Sequence, residues 1–329
     1  MRPEFTLIPM LSIHPDRINL YSEVHWDPYK PRRDPSVHLN GISRDHGGKV
    51  SAAARRKVSR AIEYLLFLAN EKVLPDTTHG KAYGFKLSFI TLTLPSTQAH
   101  TDQEIKARLL NQFLIEARKK WHVKNYLWRA EKQKNGNIHF HILADKFIPW
   151  SELRDTWNRI TNKLDYVTRY RDQMRTFHEG GFRTREDLLK TWSYKNQIKA
   201  YNSGKVNDWA SPNSTDIHSV WKVKNIKAYI SKHCIKDEQS EGLTGRLWGC
   251  NEQLSNIPGA RMVVDQPISD SLRSIFNKHS PDVYEGAYFS SVDISFEWLK
   301  DSDSTELFKA FAGFLNDHFG HSLQACIDT

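Results

Sequence analysis

The residues best placed to do chemistry are the histidines of Asn135-Gly136-Asn137-Ile138-His139-Phe140-His141-Ile142-Leu143. Two imidazoles flanking one aromatic residue in a strand-like run read as metal ligands. Side chains along a strand alternate faces, so His139 and His141 project one way while Ile138, Phe140 and Ile142 project the other way into a core. The run Tyr126-Leu127-Trp128-Arg129-Ala130-Glu131 reads as the antiparallel partner, joined through residues 132–137. A two-residue Asn-Gly turn would set Glu131 against Phe140 and mix the apolar faces of the two strands. A three-residue loop with a glycine bulge instead stacks Tyr126, Trp128 and Ala130 on the face of Ile138, Phe140 and Ile142, and brings Glu131 onto the histidine face. Two imidazoles and one carboxylate then converge, with coordination positions left for water or substrate. This mixed donor set suits Mn²⁺ or Mg²⁺, and imidazoles alone would also suit Zn²⁺ or Ni²⁺.

The elements that must hold these groups follow from the pattern on either side. Residues 86–94 alternate and are β-rich, with Pro95 ending the run; Ile90, Leu92 and Leu94 form one face, and Phe89, Thr91 and Thr93 the other, where hydroxyls could meet a nucleic acid. Helical spacing runs from Ser51 to about Glu71, from Asp102 to Trp121, and from Ser151, as N-cap, to Leu164. Residues 217–223 read as a further strand. Asn225 caps a helix to about Lys236, on which Tyr229, Lys232 and Lys236 share one stripe at i+3 and i+4. These elements predict an α+β fold: a central antiparallel sheet from strands near 86–94, 124–131, 137–144 and 216–223, with the helices at 102–121 and 151–164 on its apolar face and the histidines on its open face.

Around this centre, residues 1–48 show no sustained period and read as an N-terminal arm, residues 49–250 as the domain carrying the sheet, and residues 251–329 as an acidic C-terminal region with a strand at 292–298 and a helix at about 304–319. Residues 281–329 hold nine acids against two lysines, a net −7, so the +9 of the whole chain leaves +16 on the other 280 residues. A body that basic suits a phosphate backbone as partner. Within it, residues 165–215 interleave Arg169, Arg171, Arg175, Arg183 and Arg185 with Tyr166, Tyr170, Phe177, Phe182, Trp192 and Tyr201, the pairing of cations and flat rings that single-strand binding requires, although aromatics at such spacing also pack helices onto a core. Cys234, Cys250 and Cys326 form no even framework and suit reduced thiols. No run approaches a membrane span and no signal-peptide h-region opens the chain, so a cytoplasmic protein is expected. Gly47-Gly48-Lys49 lacks the remainder of a phosphate-cradling ATPase loop.

Phe89 to Pro95, then His139-Phe140-His141, then Tyr229-Ile230-Ser231-Lys232 resemble, in order, the three motifs of the HUH endonucleases, and more narrowly the rolling-circle replication initiators (Rep proteins) of small circular single-stranded DNA phages, viruses and plasmids. The resemblance covers about residues 85–236. It implies a ferredoxin-like palm, a divalent ion on His139, His141 and Glu131, Tyr229 as nucleophile and Lys232 as its motif lysine, with Thr91, Thr93, Arg129 and Lys236 assigned to DNA contacts. It further implies a nickase and ligase: attack by Tyr229 gives a 5′-phosphotyrosine and a free 3′-hydroxyl, and reversal rejoins the strand. The expected partners are single-stranded or hairpin origin DNA and, since the chain shows no motor, a host helicase and polymerase. Relaxases of the same superfamily place the tyrosine before the histidines. The second tyrosine of some phage-type members is absent beside Tyr229, and the helicase domain of many eukaryotic-virus members is missing, which favours a prokaryotic host. The alternatives are a single-strand transposase of the same superfamily, although those enzymes are much shorter, and a non-catalytic, metal-containing nucleic-acid-binding protein.

Overall fold

The computed structural model describes residues 5–14, 17–26, 50–69, 72–76, 81–220, 242–256, 260–279, 283–286 and 289–293. The N-terminal stretch read as an arm contains two strands, β1 (Phe5–Ile13) and β2 (Arg17–Trp26), which pair along their whole length. Helix α1 (Ala52–Leu68) starts where the Ser51 hydroxyl accepts the N–H of Ala54, and it buries Val58, Ile62 and Leu65 while Arg55, Arg56 and Lys57 stay exposed. The hairpin β3 (Lys72–Asp76) and β4 (Lys81–Phe85) leads into β5 (Ser88–Thr93). Next comes one continuous rod: α2 (Asp102–Ile105), a π-helical stretch Lys106–Leu110, and α3 (Asn111–Trp121). Its entry is a reciprocal capping box, in which the Thr101 hydroxyl accepts the Glu104 N–H and the Glu104 carboxylate accepts the Thr101 N–H.

Strands β6 (Tyr126–Lys132) and β7 (Ile138–Ala144) form the hairpin expected from their pattern. Gln133 N–H donates to the Asn137 carbonyl and Gly136 N–H to the Gln133 carbonyl, so the loop proper is Lys134, Asn135 and Gly136, with Gly136 at φ +84° supplying the left-handed turn. That loop length fixes the register, and Glu131 pairs with His139. After it come α4 (Trp150–Thr161), α5 (Tyr166–Phe177) and α6 (Tyr194–Val206). Ser151, expected as the cap of α4, lies inside the helix, because the Pro149 carbonyl already accepts the Leu153 N–H. The segment is completed by β8 (Thr215–Ser219), β9 (Trp248–Cys250) and the short α7 (Glu252–Asn256).

Residues Ser43–Asn256 form one compact unit. Its main sheet is antiparallel, in the order β8-β5-β7-β6-β9, so the histidine strand is central. One face carries Ile90, Leu92, Trp128, Ala130, Ile138, Phe140 and Ile142 into a core closed by Leu109, Leu110 and Phe113 of the first rod and by Leu153, Trp157 and Ile160 of α4. Trp157 is the keystone: fully buried, edge-on to Phe113 at 5.9 Å and to Phe140 at 6.4 Å, it donates its indole N–H to the Thr93 carbonyl at 2.7 Å. This is the α+β architecture expected, consistent with a ferredoxin-like palm. The other unit, residues 1–42 and 257–329, adds β10 (Ala260–Val263), α8 (Gln266–His279), β11 (Val283–Gly286) and β12 (Phe289–Asp293). Its sheet runs β10-β1-β2-β12-β11, and Leu272 and Phe276 of α8 pack on Leu11, Ile18, Leu20 and Val292. The strand expected at 292–298 thus lies earlier, at Phe289–Asp293, and the helix expected at about 304–319 lies outside the described residues. No helix among the described residues is long and apolar enough to cross a membrane.

Candidate metal centre

Pairing across the sheet sets two rows of side chains on the face opposite the core, because directly opposed residues of neighbouring strands point the same way. One row is Thr93, His139 and Glu131; the next is Asp216, Thr91, His141, Arg129 and Trp248. The core anchors each row, since the alternate residues Ile138, Phe140 and Ile142 of β7 are buried.

Glu131, His139 and His141 bring one ligand atom each to within 4.8 Å of one another. Both Nε2 atoms lie 3.4 Å from the same Glu131 oxygen, Oε2. The imidazoles keep 15% and 13% of their side-chain surface open, while Glu131 is nearly buried, so the cluster is reached from the histidine side. His141 is oriented from behind: its Nδ1 is 3.1 Å from the Thr91 hydroxyl, and the tautomer that donates there leaves the Nε2 lone pair facing the cluster. Its ring also packs at 5.1 Å on Phe89. Burial pushes the Glu131 carboxyl up, but hydrogen bonds from His139 and His141 and the charges of His141 and Arg129 outweigh it and bring its pKa down to about 2. Glu131 is therefore a carboxylate at neutral pH, and three convergent donors of this kind can hold a divalent metal ion.

The sequence-predicted residues divide into three groups. His139, His141 and Glu131 come together as expected. Thr91, Thr93 and Arg129, read as DNA contacts, are engaged within the protein: Thr91 on His141, Thr93 donating its hydroxyl to the Ser214 carbonyl at 2.9 Å, and Arg129 entirely buried, 3.2 Å from Glu131 Oε1. Arg129 lies inside the sheet on the ligand row, flanked by β7 and β9, so its guanidinium meets a carboxylate where solvent was expected. Tyr229, Lys232 and Lys236 lie outside the described residues. The sequence reading also passed over His218 and Asp216, 3.5 Å apart, with the His218 ring on the far side of Phe89 from His141 at 5.3 Å. Alternation along β8 could have found them, since it puts both on the Thr91 face.

An α+β palm with a two-histidine, one-carboxylate cluster on its open face is the class these observations define. Residues 87–238, just under half of the chain, match a family model described as replication-associated protein, of the ORF2 type. The matched segment contains the whole cluster, and it supports a rolling-circle Rep-type protein with a replication initiator role. No curated protein and no solved structure matches the chain.

Proposed function

We propose that this protein is a rolling-circle replication initiator of the HUH type that nicks single-stranded origin DNA through Tyr229 and later rejoins the strand. The observation that carries this reading is the convergence of Glu131, His139 and His141 on one open sheet face within a segment that matches a replication-associated family. In the reaction the Tyr229 phenolic oxygen attacks the scissile phosphorus, a phosphotyrosine bond forms at the 5′ side, and the bond to the 3′ oxygen breaks, leaving that oxygen as a hydroxyl after it takes a proton. The ester conserves the bond energy, so a later attack by a 3′-hydroxyl restores tyrosine and closes the strand without ATP.

A free tyrosine has a pKa of about 10, so only about one in a thousand is ionised at neutral pH. Lys232, one helical turn along, lowers that value or steadies the attacking oxygen. Bound on His139, His141 and Glu131, Mn²⁺ or Mg²⁺ supplies positive charge to a non-bridging phosphate oxygen. Thr91 fixes the His141 ring, Arg129 holds the Glu131 carboxylate from inside the sheet, and Lys236 contacts the DNA backbone. Strand separation and synthesis are left to a helicase and polymerase of the host. The test is a denaturing gel after incubation with labelled single-stranded DNA from the protein's own replicon and Mn²⁺. Label migrating with the wild type, and lost with chelator and in Tyr229→Phe, is the expected result; cleavage that persists in Tyr229→Phe would move the nucleophile elsewhere.

A further inference from the structure

Helices α5 and α6, with the loops around them, enclose a cavity of about 930 Å³ that the cluster chemistry does not use. Its position follows from the sheet. The cavity is lined by Leu94 to Thr97, just past the end of β5, and by Asn135 and Asn137 of the β6–β7 turn. It therefore lies at the end of the sheet where the row Thr93, His139 and Glu131 sits, with Asn137 only two residues, or about 7 Å along a strand, from His139.

The chemistry of the walls is uniform. Arg154, Arg183 and Arg185 line the cavity and no acidic side chain does. Arg185 is neutralised by Asp187 at 2.9 Å, whereas Arg183 is exposed and has no ion-pair partner among the described residues. The floor is aromatic and held rigid. His178 stacks on Trp209 at 5.7 Å and 11° and meets Tyr201 at 4.8 Å, and Gly204 makes room for this, because a Cβ there would lie 2.2 Å from the Trp209 indole nitrogen. At the rim, Trp192 is 37% exposed and stacks on no ring among the described residues. The side-chain amides of Gln173 and Asn213 line the space with no partner among those residues.

We infer that this cavity takes an unstacked base of the single strand whose backbone lies at the metal cluster, with Trp192 and Tyr201 as stacking surfaces, Arg183 on the adjoining phosphate, and Gln173 and Asn213 facing the base edge. Rings, an uncompensated cation and open amides in one concavity are what a nucleotide requires, and a cavity for an apolar ligand would have no use for the arginines. The assignment rests on the single-strand nicking reading and gives it the element that selects the strand beside the scissile phosphate.

The test is fluorescence anisotropy with labelled oligothymidylate, an abasic strand of the same length and oligouridylate, with wild type, Trp192→Ala, Tyr201→Leu and Arg183→Ala. The wild type should bind oligothymidylate at least about tenfold more tightly than the abasic strand, a ratio that Trp192→Ala and Tyr201→Leu shrink by about tenfold. Arg183→Ala should weaken both DNA strands alike. Trp192 is at the surface, so Trp192→Ala carries the test if Tyr201→Leu does not fold. A base-dependent ratio unchanged in Trp192→Ala, or a preference of the wild type for oligouridylate, would overturn the inference. The phosphotyrosine assay run on the wild type keeps the two readings apart: base preference without adduct would sink the nicking reading alone, and adduct without base preference would sink the cavity assignment alone.

Discussion

Replacing Arg129 by methionine tests whether the buried ion pair holds the metal site together. Arg129 is fully buried and Glu131 nearly so, with Nε and Oε1 3.2 Å apart. At an effective dielectric of about 20 that separation corresponds to an attraction of about 5 kcal/mol, and removing one member of a buried pair typically destabilises by about 3–5 kcal/mol because the other charge is left uncompensated. Methionine keeps most of the apolar stem, so cavity formation adds little. For a unit of this size the expected loss in Tm is about 10 °C. A cation on the Oε2 side would replace part of the missing positive charge, so MnCl₂ should raise the Tm of Arg129→Met by more than it raises that of the wild type. Thermal and urea unfolding followed by circular dichroism, with and without MnCl₂, measure both quantities. A loss below about 1 kcal/mol, or a deficit that Mn²⁺ leaves unchanged, would refute the reasoning.

Thr91→Val keeps the shape but removes the hydroxyl behind His141 Nδ1, and should weaken Mn²⁺ binding by about 10- to 100-fold in a calorimetric titration while leaving stability near that of the wild type. Asp102 supplies a pH dependence: burial raises its pKa, but bonds from Lys132, Gln98 and the Thr244 N–H outweigh this and lower it. Its stabilisation is therefore fully present above the unfolded carboxyl value of about 3.9 and is lost as the pH falls through the lower folded value, so urea midpoints between about pH 6 and 2 should fall more steeply for the wild type than for Asp102→Asn. Gly204→Ala should displace the Trp209 indole and lower stability by about 1–3 kcal/mol, read from the same urea midpoints, with a shift in tryptophan emission.

The centre of the fold was legible because its signals are local. Alternation named the faces of β5, β6 and β7, and Gly136 at the right distance from both strands decided the register that brings Glu131 to His139. The helices on the core face were legible from spacing and from Thr101 with Glu104. The other unit was not, because β1 and β2 find their outer partners at residues 260–263 and 289–293, more than 200 positions away, and Pro9 interrupts the pattern of β1. The role of Arg129 was also hidden. A strand arginine next to a ligand reads as a surface cation until β9, supplied by residues 248–250, covers that edge of the sheet. Residues 165–215 showed their cations and rings in sequence but not their arrangement, which depends on Gly204 admitting Trp209.

The most direct test of the account is mass spectrometry of the tryptic peptides after reaction of the protein with single-stranded DNA of its own replicon and Mn²⁺, followed by nuclease trimming. The account predicts one modified peptide, with the residual nucleotide attached through its 5′ phosphate to Tyr229. A nucleotide on any other residue, or cleaved DNA with no modified peptide, would contradict it.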